Sequence, residues 1–394
     1  MNFRKTILAV GMVVCVSTAL AEDKKMVEKP AIPTLGQIMD ASGIKFSGYV
    51  DTSYTYLSGT GAFTSGVANR VFDTERRSFN LNMLDLTISN LPEKGFGGMV
   101  ELNAGSDAKL LNNATAGPTA NGVPSDNEFA IQQGYFHYAN GPLMFIAGKF
   151  VTLAGAEVIK SPDNLNFSRS ILFGYAIPFT HTGVRGYFTP NDKMKFIVGM
   201  NNGWDVVSES QQTPAADGSK AISKTLELGV SATPIKELSL AAAFYRGKES
   251  CGTGAAGCIP TSGERNLLDL VATYSVNDAL SFTLNYDKAE QDKALTGNGK
   301  AKWNGLAAYV NYKLSDAWRV AFRTESFDDK DGFRTGVIQK WKENTLTLAN
   351  TPAKNVELRG EVRHDSSNKS SFLQPDAGNK KGQSSLGLEA IYKF

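Results

Sequence analysis

Four charged side chains occupy alternate positions of one short stretch near the C-terminus. They are Glu357, Arg359, Glu361 and Arg363, and the positions that alternate with them hold Val, Leu, Gly and Val. Alternate residues of an extended strand point to opposite faces, so one face of this strand carries only charges. A row of charges cannot sit in hydrocarbon, and we therefore predict that this face lines water.

Charged residues from other stretches fall on the same predicted inward face, with acids and bases in nearly equal numbers. A cluster of four arginines would attract anions locally, but acidic neighbours across the strands would neutralise it, and we favour the second interpretation. The arginines are Arg319, Arg323, Arg359 and Arg363, and the acidic neighbours are Glu325, Glu357 and Glu361. The full set of charged residues predicted to border this water or to narrow the space that it fills is Glu157, Lys160, Asp163, Arg169, Arg185, Arg319, Arg323, Glu325, Glu357, Arg359, Glu361 and Arg363.

Two cysteines, Cys251 and Cys258, enclose a glycine-rich stretch without a strand pattern. We predict a disulfide that closes this small loop, because a protein exposed at the cell exterior meets an oxidising environment. Free thiols are the alternative. A metal site has little support, since neither a histidine nor a third thiol lies near in the sequence.

Catalytic chemistry has few candidates in this chain. Its three histidines are His137, His181 and His364, and Ser168 or Ser170 could form a nucleophile pair with His181. No nucleophile-elbow motif supports such a pair, and the sequence contains neither a phosphate-binding glycine loop nor a haem-attachment motif. We therefore predict a protein that is not an enzyme and that needs no cofactor or metal.

Apolar residues recur at every second position through most of the chain. Short turns rich in Asn, Asp and Pro, such as 234–237, alternate with longer polar loops, such as 248–262. In the first half the pattern predicts strands near 44–57, 78–91, 96–107, 128–139, 143–153, 171–189 and 193–206. The whole chain then contains about sixteen strands. This predicts an all-β fold, a transmembrane antiparallel β-barrel with short periplasmic turns and long extracellular loops.

The two ends of the chain agree with this fold. Residues 1–21 have a basic start, a short apolar run and small residues before Glu22, which predicts a cleaved signal peptide. We expect 22–43 to be a periplasmic leader, with one or two helical turns near 35–41, and 44–394 to be the barrel. The last strand alternates apolar and polar residues and closes on Phe394, as outer-membrane barrels usually do. Without 1–21 the charge is balanced, which argues against nucleic-acid binding.

The third long loop, 154–170, has the composition of a segment that packs. Ile159, Leu165 and Phe167 are apolar residues that a solvated loop would not need. A barrel of about sixteen strands is wide enough for water unless something folds into it. We predict that this loop folds inward and narrows the lumen. The alternative is that it caps the barrel from outside.

Several stretches of the chain resemble those of a known family. The sequence Glu157-Val-Ile-Lys-Ser-Pro-Asp-Asn-Leu-Asn-Phe-Ser-Arg-Ser170, followed by Leu172 to Arg185, resembles the signature of the OmpL-like β-barrel porin-2 family. Gly48-Tyr-Val-Asp51 and Asn202-Gly-Trp-Asp205 are also similar to that family. The resemblance implies a porin of the bacterial outer membrane that passes small hydrophilic solutes or ions. The expected partners are outer-membrane lipid and those solutes, with no nucleic acid, and a homo-oligomer stays open.

A second class of function is compatible with a barrel. The lumen could enclose a partner protein, such as an electron-transfer cytochrome, or the loops could serve in adhesion. An open lumen lined by charges favours a channel for passive diffusion, whereas a broad apolar surface inside would favour a scaffold. The sequence alone does not identify a solute.

Overall fold

The structure is a computed structural model. It describes residues 34–57, 70–73, 77–116, 127–208, 224–250, 262–295, 299–372 and 378–394. By its internal contacts the chain divides into two units, Met1–Ser42 and Gly43–Phe394. The predicted signal peptide at 1–21 lies outside the described residues, as do Cys251 and Cys258, so these remain predictions.

The described part of the first unit is one short helix, α1, which spans Leu35–Ser42. The Thr34 hydroxyl accepts a hydrogen bond from the Gln37 amide at 3.3 Å, and the Gln37 side chain accepts one from the Thr34 amide at 2.9 Å. This reciprocal capping box explains why the helix begins here. The helical turns predicted near 35–41 are confirmed. No helix in the described part of the chain is long and apolar enough to span a membrane.

The second unit is a closed antiparallel β-barrel, and its described residues form sixteen strands. Each strand pairs with its neighbours in chain order, and the first strand pairs with the last. The strands are β1 Lys45–Leu57, β2 Phe79–Asn90, β3 Lys94–Ala104, β4 Phe129–Asn140, β5 Leu143–Val151, β6 Thr180–Asn191, β7 Met194–Asn201, β8 Thr225–Ile235, β9 Leu238–Ser250, β10 Ser262–Ser275, β11 Leu280–Leu295, β12 Gly299–Lys313, β13 Trp318–Asp329, β14 Gln339–Ala353, β15 Val356–Ser367 and β16 Gly382–Lys393. The predicted barrel is confirmed.

The C-terminal residue takes part in closing the barrel. The Phe394 amide donates to the Gly48 carbonyl at 3.0 Å, and the Gly48 amide donates to the Phe394 carbonyl at 3.0 Å. Along the same seam, Tyr49 faces Lys393 and Leu57 faces Ser385. Closure leaves no unpaired sheet edge, which a barrel in hydrocarbon requires.

The outer surface of the barrel is apolar, and the inner surface is polar. On β16, Leu386 and Leu388 are exposed on the outside, and Leu388 keeps 54% of its surface. Gly387, between them, and Ser385 and Glu389, on either side, point inward and are buried. The same alternation holds along β12 to β15. Hydrocarbon outside and polar groups inside are the arrangement of outer-membrane barrels.

Two long connections contribute short helical pieces. A second helix, α2, spans Ser106–Ala116 between β3 and β4, and it buries Ala108 and Leu111 in the core. Between β5 and β6 lie a 3-10 turn at Ser161–Asp163 and one π-helical turn at Leu172–Ala176. The strand predicted over 171–189 is therefore wrong in its first part, because β6 begins at Thr180. The apolar residues before Pro178 are buried inside the barrel and do not face lipid.

Candidate functional site: the barrel lumen

The connection between β5 and β6 enters the barrel. We call residues 152–179 the lumenal segment. Its start is held by β9, because the Leu153 amide donates to the Tyr245 hydroxyl at 2.9 Å. Farther along, the Ala156 amide donates to Asn285 on β11 at 3.1 Å, and Lys160 reaches Asp85 on β2 at 3.3 Å. Contacts with inward-facing residues on widely separated strands place this segment inside the barrel.

Arginines of the wall donate hydrogen bonds to the backbone carbonyls of the lumenal segment. Arg319 on β13 bonds to Leu165 at 2.6 Å, and Arg323 bonds to Ser168 at 2.6 Å. Two arginines on β15 add further bonds, Arg359 to Asn164 at 3.0 Å and Arg363 to Arg169 at 2.6 Å. An irregular backbone that is buried must find partners outside itself. The arginines supply these partners.

Two wall carboxylates accept the backbone amides that remain. Glu361 on β15 accepts from Phe167 at 2.8 Å and from Ser168 at 3.0 Å. Glu325 on β13 accepts from Ile171 at 2.6 Å and from Leu172 at 3.0 Å. Both glutamates are buried. Charge-assisted bonds of this kind are stronger than neutral ones, so the wall fixes the path of the segment.

The wall arginines are neutralised by acids as well. Arg323, which has no exposed surface, pairs with Glu157 at 2.7 Å and with Glu343 at 2.9 Å. Arg359 pairs with Glu357 at 2.7 Å and with Glu389 at 3.0 Å. Arg319 pairs with Glu357 at 2.6 Å, and Arg363 pairs with Asp365 at 2.7 Å and with Glu343 at 3.9 Å. The arginine cluster thus has little free charge to offer a passing ion.

Sequence reasoning placed these arginines on the inner face but did not identify most of their partners. Of the three predicted acidic neighbours, Glu357 pairs with two arginines, whereas Glu325 and Glu361 bind backbone amides. The inward acids Glu343 and Asp365 were missed. Extending the alternation of β14 and β15 toward the long loops would have found both, since they share a face with Thr345 and Arg363.

Lys160 crosses from the lumenal segment to the opposite wall. Its ammonium lies 3.3 Å from Asp85 and 3.2 Å from Glu101, on β2 and β3. Burial lowers the pKa of Lys160, but Glu101 and Asp85 outweigh this effect, so the pKa is raised overall. The lysine is therefore charged, and it joins the segment to a second side of the barrel.

The other predicted site residues lie at different places in the lumen. Arg169 folds back on the segment and donates to Phe167 at 2.7 Å and to Ile159 at 2.6 Å. Asp163 is exposed in the lumen. Arg185, on β6, makes two bonds to Glu227 at 2.8 and 2.7 Å and lies 4.1 Å from the centre of the Phe150 ring.

The histidine and serines considered for catalysis serve other contacts. His181 stacks on Tyr245 with ring centres 4.9 Å apart, and its Nδ1 lies 3.1 Å from the Gly203 carbonyl. Ser168 accepts from Arg323 and Arg363, each at 3.2 Å, and the Ser170 hydroxyl accepts from the Phe173 amide at 3.0 Å. No hydrogen bond joins His181 to either serine. Within the described ranges, no group of three or more His, Cys, Asp or Glu side chains could hold a metal ion.

Gly387 provides room for the lumenal segment at the wall. A methyl group added at Gly387 would lie 2.8 Å from the nearest ring carbon of Phe167. We expect Gly387→Val to push Phe167 away from β16 and to cost about 1–3 kcal/mol of stability, as overpacking does. Thermal unfolding in detergent measures this. The control is Gly360→Val on the outer face, where the nearest atom to the added carbon is 3.9 Å away. Equal losses in both variants would contradict the contact.

A buried acid on α2 predicts a pH dependence of stability. Burial raises the pKa of Asp107 to about 7, helped by Asp73 and Glu389 and opposed by Arg169. The pKa of Asp107 is therefore higher in the folded state than in the unfolded state, where it is about 4. Asp107 contributes its full stability below about pH 4, and this contribution is lost as the pH rises through about 7. We expect Asp107→Asn to flatten the fall in unfolding temperature between these pH values. An unchanged pH profile would contradict this.

These features define a class of protein. A closed barrel with an apolar outside, a polar inside and a loop folded into its lumen is a channel of the bacterial outer membrane. The chain belongs to the beta-barrel porin-2, OmpL-like family, whose model matches residues 43–394. It is therefore an outer-membrane porin that allows passive diffusion of small hydrophilic solutes.

Solved structures agree on the fold. The chain is similar to the outer-membrane channel DcaP of Acinetobacter baumannii, with 15% identity and a TM-score of 0.61 over 89% of this chain and 97% of that one. It is also similar to OmpT of Vibrio cholerae in its trimer form, with 13% identity and a TM-score of 0.58 over 89% of this chain and 99% of that one. An anion-selective porin from Comamonas acidovorans is similar too, with 14% identity and a TM-score of 0.56 over 89% of this chain and 99% of that one. No curated protein matches the chain.

Proposed function

We propose that the lumenal segment is the constriction of this porin. Solutes would then pass between the side of the segment that carries Val158, Lys160 and Asp163 and the wall formed by β4 and β5. The wall residues Gln132 and Gln133 face this passage. Most of the predicted site residues then hold the segment or line the path beside it, whereas Arg185 bonds to Glu227 and to the Val151 carbonyl.

One-sided burial of the segment is the observation that carries this proposal. Ile159 and Phe167 are almost fully buried, with 3% and 5% of their surfaces exposed. Val158 keeps 42% exposed although it adjoins Ile159, and Asp163 is exposed too. A segment that capped the barrel would expose its outer side to bulk solvent. Here the exposed side faces a cavity within the lumen.

The size and lining of that cavity indicate the kind of solute. Its volume is about 270 Å³, and its lining includes Gln133, Val158, Lys160 and Asp163. Amide groups and charges of both signs can replace part of the hydration shell of a small polar solute. The passage therefore suits small hydrophilic solutes and excludes bulky ones.

Other roles are less well supported. We propose no catalytic step, because His181, Ser168 and Ser170 are engaged in other contacts. A lumen that encloses a partner protein would need free inner walls, whereas the inner walls of β13 and β15 are bonded to the chain's own segment. We further propose that residues 1–21 are removed on export and that 22–43 form a periplasmic leader. The pore lies within one chain, so a homo-oligomer would carry parallel pores.

Cysteine accessibility in single channels tests the passage. In a background with Cys251→Ser and Cys258→Ser, we expect a charged methanethiosulfonate reagent to reduce the current through Val158→Cys and Asp163→Cys channels. Val184→Cys, whose side chain is exposed on the outer face of β6, is the matched control and should not respond. Unchanged current at both lumenal positions, with the barrel folded, would contradict the proposed path.

A further inference from the structure

Basic side chains surround the inner face of the barrel at the rim that carries the short turns. They are Lys45 on β1, Lys195 on β7, Lys313 on β12 and Lys393 on β16. We propose that this basic ring makes the pore prefer small anions, such as inorganic anions and small carboxylates. The inference rests on the proposed passive channel and names the class of solute that it favours.

Strand alternation places the lysines on the inner face. On β7, Lys195 shares a face with the buried residues Gly199 and Asn201, whereas Phe196 and Val198 are exposed on the outside. The other three lysines follow the same pattern. Lys45 shares a face with buried Tyr49, Lys313 with buried Tyr309, and Lys393 with buried Ile391. Each lysine lies at or next to the end of its strand, so its ammonium can reach the mouth of the lumen.

Acids do not balance this ring. Within the described strands, two inner-face carboxylates that lie near the ring are already engaged. Glu357 bonds to Arg319 at 2.6 Å and to Arg359 at 2.7 Å, and Glu389 pairs with Arg359 at 3.0 Å. No ion pair in the described residues joins any of the four lysines to an acidic side chain. Neutral polar residues occupy many other inner positions near the short-turn rim. They are Ser47, Ser89, Thr189, Ser231, Thr233, Ser239, Thr273, Ser275, Ser281, Thr283, Asn311 and Thr351.

Charges elsewhere act less on a solute at this mouth. The short turns carry both signs, including Asp192 and Lys193, but they are exposed to bulk water, where salt screens them over about 8–10 Å. Deeper in the lumen, Asp85 and Glu101 are buried and held by Lys160. The ring residues are also exposed or half-buried, but they lie on the inner face at the mouth of the lumen, which every permeating ion must cross, so their charges act on the ion at short range.

The ring would raise the local concentration of anions at one end of the passage. A mouth lined by one sign of charge concentrates ions of the opposite sign and speeds their entry. Lysine suits this role because its ammonium is a mobile point charge that attracts an anion without enclosing it. Anions would be collected loosely and passed on, as conduction requires.

The reversal potential across a planar bilayer measures this preference. With a KCl gradient, we expect the wild-type porin to pass chloride in preference to potassium. In the variant Lys45→Gln, Lys195→Gln, Lys313→Gln and Lys393→Gln, the chloride-to-potassium permeability ratio should fall by roughly threefold, because the local field falls with each removed charge. The matched control replaces the turn lysines, Lys193→Gln, Lys236→Gln and Lys354→Gln, and should keep the wild-type ratio.

The outcomes separate this inference from the proposed path. A wild-type channel that prefers potassium, or a ring variant that keeps the wild-type ratio, would overturn the inference. The ring residues lie at the exposed rim, so the variant should fold, and its resistance to unfolding in detergent at room temperature checks this. If Val158→Cys channels do not respond to the thiol reagent while chloride preference holds, the proposed path fails and the anion ring stands.

Discussion

Replacing Arg323 by Met should release the lumenal segment from the wall and increase single-channel conductance severalfold. Arg323 holds Glu157, Glu343 and the Ser168 carbonyl at once, and it is fully buried. Without the arginine, Glu157 loses its ion-pair partner and Glu343 keeps only Arg363 at 3.9 Å, and breaking a buried pair in this way costs about 3 to 5 kcal/mol. The backbone ladder of the barrel does not depend on this side chain, so the segment should yield before the barrel does.

Arg246 provides the matched control for this prediction. It pairs with Glu264 at 3.0 Å, but both side chains are exposed, and such pairs contribute little. We expect Arg246→Met to keep wild-type conductance and stability. If Arg323→Met folds and conducts as the wild type does, then the buried ion pairs do not hold the segment, and the account of the arginine cluster is wrong.

Replacing Leu388 by Arg should cost about 2 to 4 kcal/mol, because the new charge would face the lipid close to the middle of β16. Folding into lipid vesicles, followed by denaturant titration, gives the change in unfolding free energy. Ser281→Arg is the control, since Ser281 is only half-buried and faces the lumen near the short-turn rim. We expect a small change there. Equal losses at both positions would mean that the strand faces are assigned wrongly.

The fold could be predicted from the sequence because a barrel in lipid imposes a simple rule. Every strand must present apolar residues outward, so Leu386 and Leu388 reveal the orientation of β16 without any knowledge of neighbouring strands. Short turns and long loops then give the order of the strands. The rule fails where the chain leaves the wall. Residues 171–179 are apolar and were predicted to be strand, but they pack inside the lumen.

The partners of the inward charges could not be predicted for the same reason. Alternation assigns Arg359 and Glu361 to the inner face, but it does not show what they bind. Their partners include backbone groups of an irregular segment, at Asn164 and Phe167, which are about 200 residues away in the sequence. A pattern within one strand carries no information about such contacts. These inward charges hold the lumenal segment in place.

Inward charges in this porin are of two kinds, those that hold the lumenal segment and those that a solute can reach. The four arginines first considered for anion preference are paired and bonded to the lumenal segment. The lysines at the short-turn rim, including Lys195 and Lys313, have no acidic partner in the described structure. When all inward charges are counted by sign, acidic and basic residues on the inner face are nearly equal in number. Counting those that a solute can reach gives a basic mouth.

The most direct test of the constriction is the single-channel conductance of a variant that lacks residues 161–167. This deletion removes Phe167 and the backbone groups that Arg319 and Arg359 bind, and it leaves every strand intact. We predict a larger conductance and passage of larger neutral solutes into liposomes. An unchanged conductance and an unchanged size limit, in a variant whose barrel is folded, would contradict the claim that the lumenal segment narrows the pore.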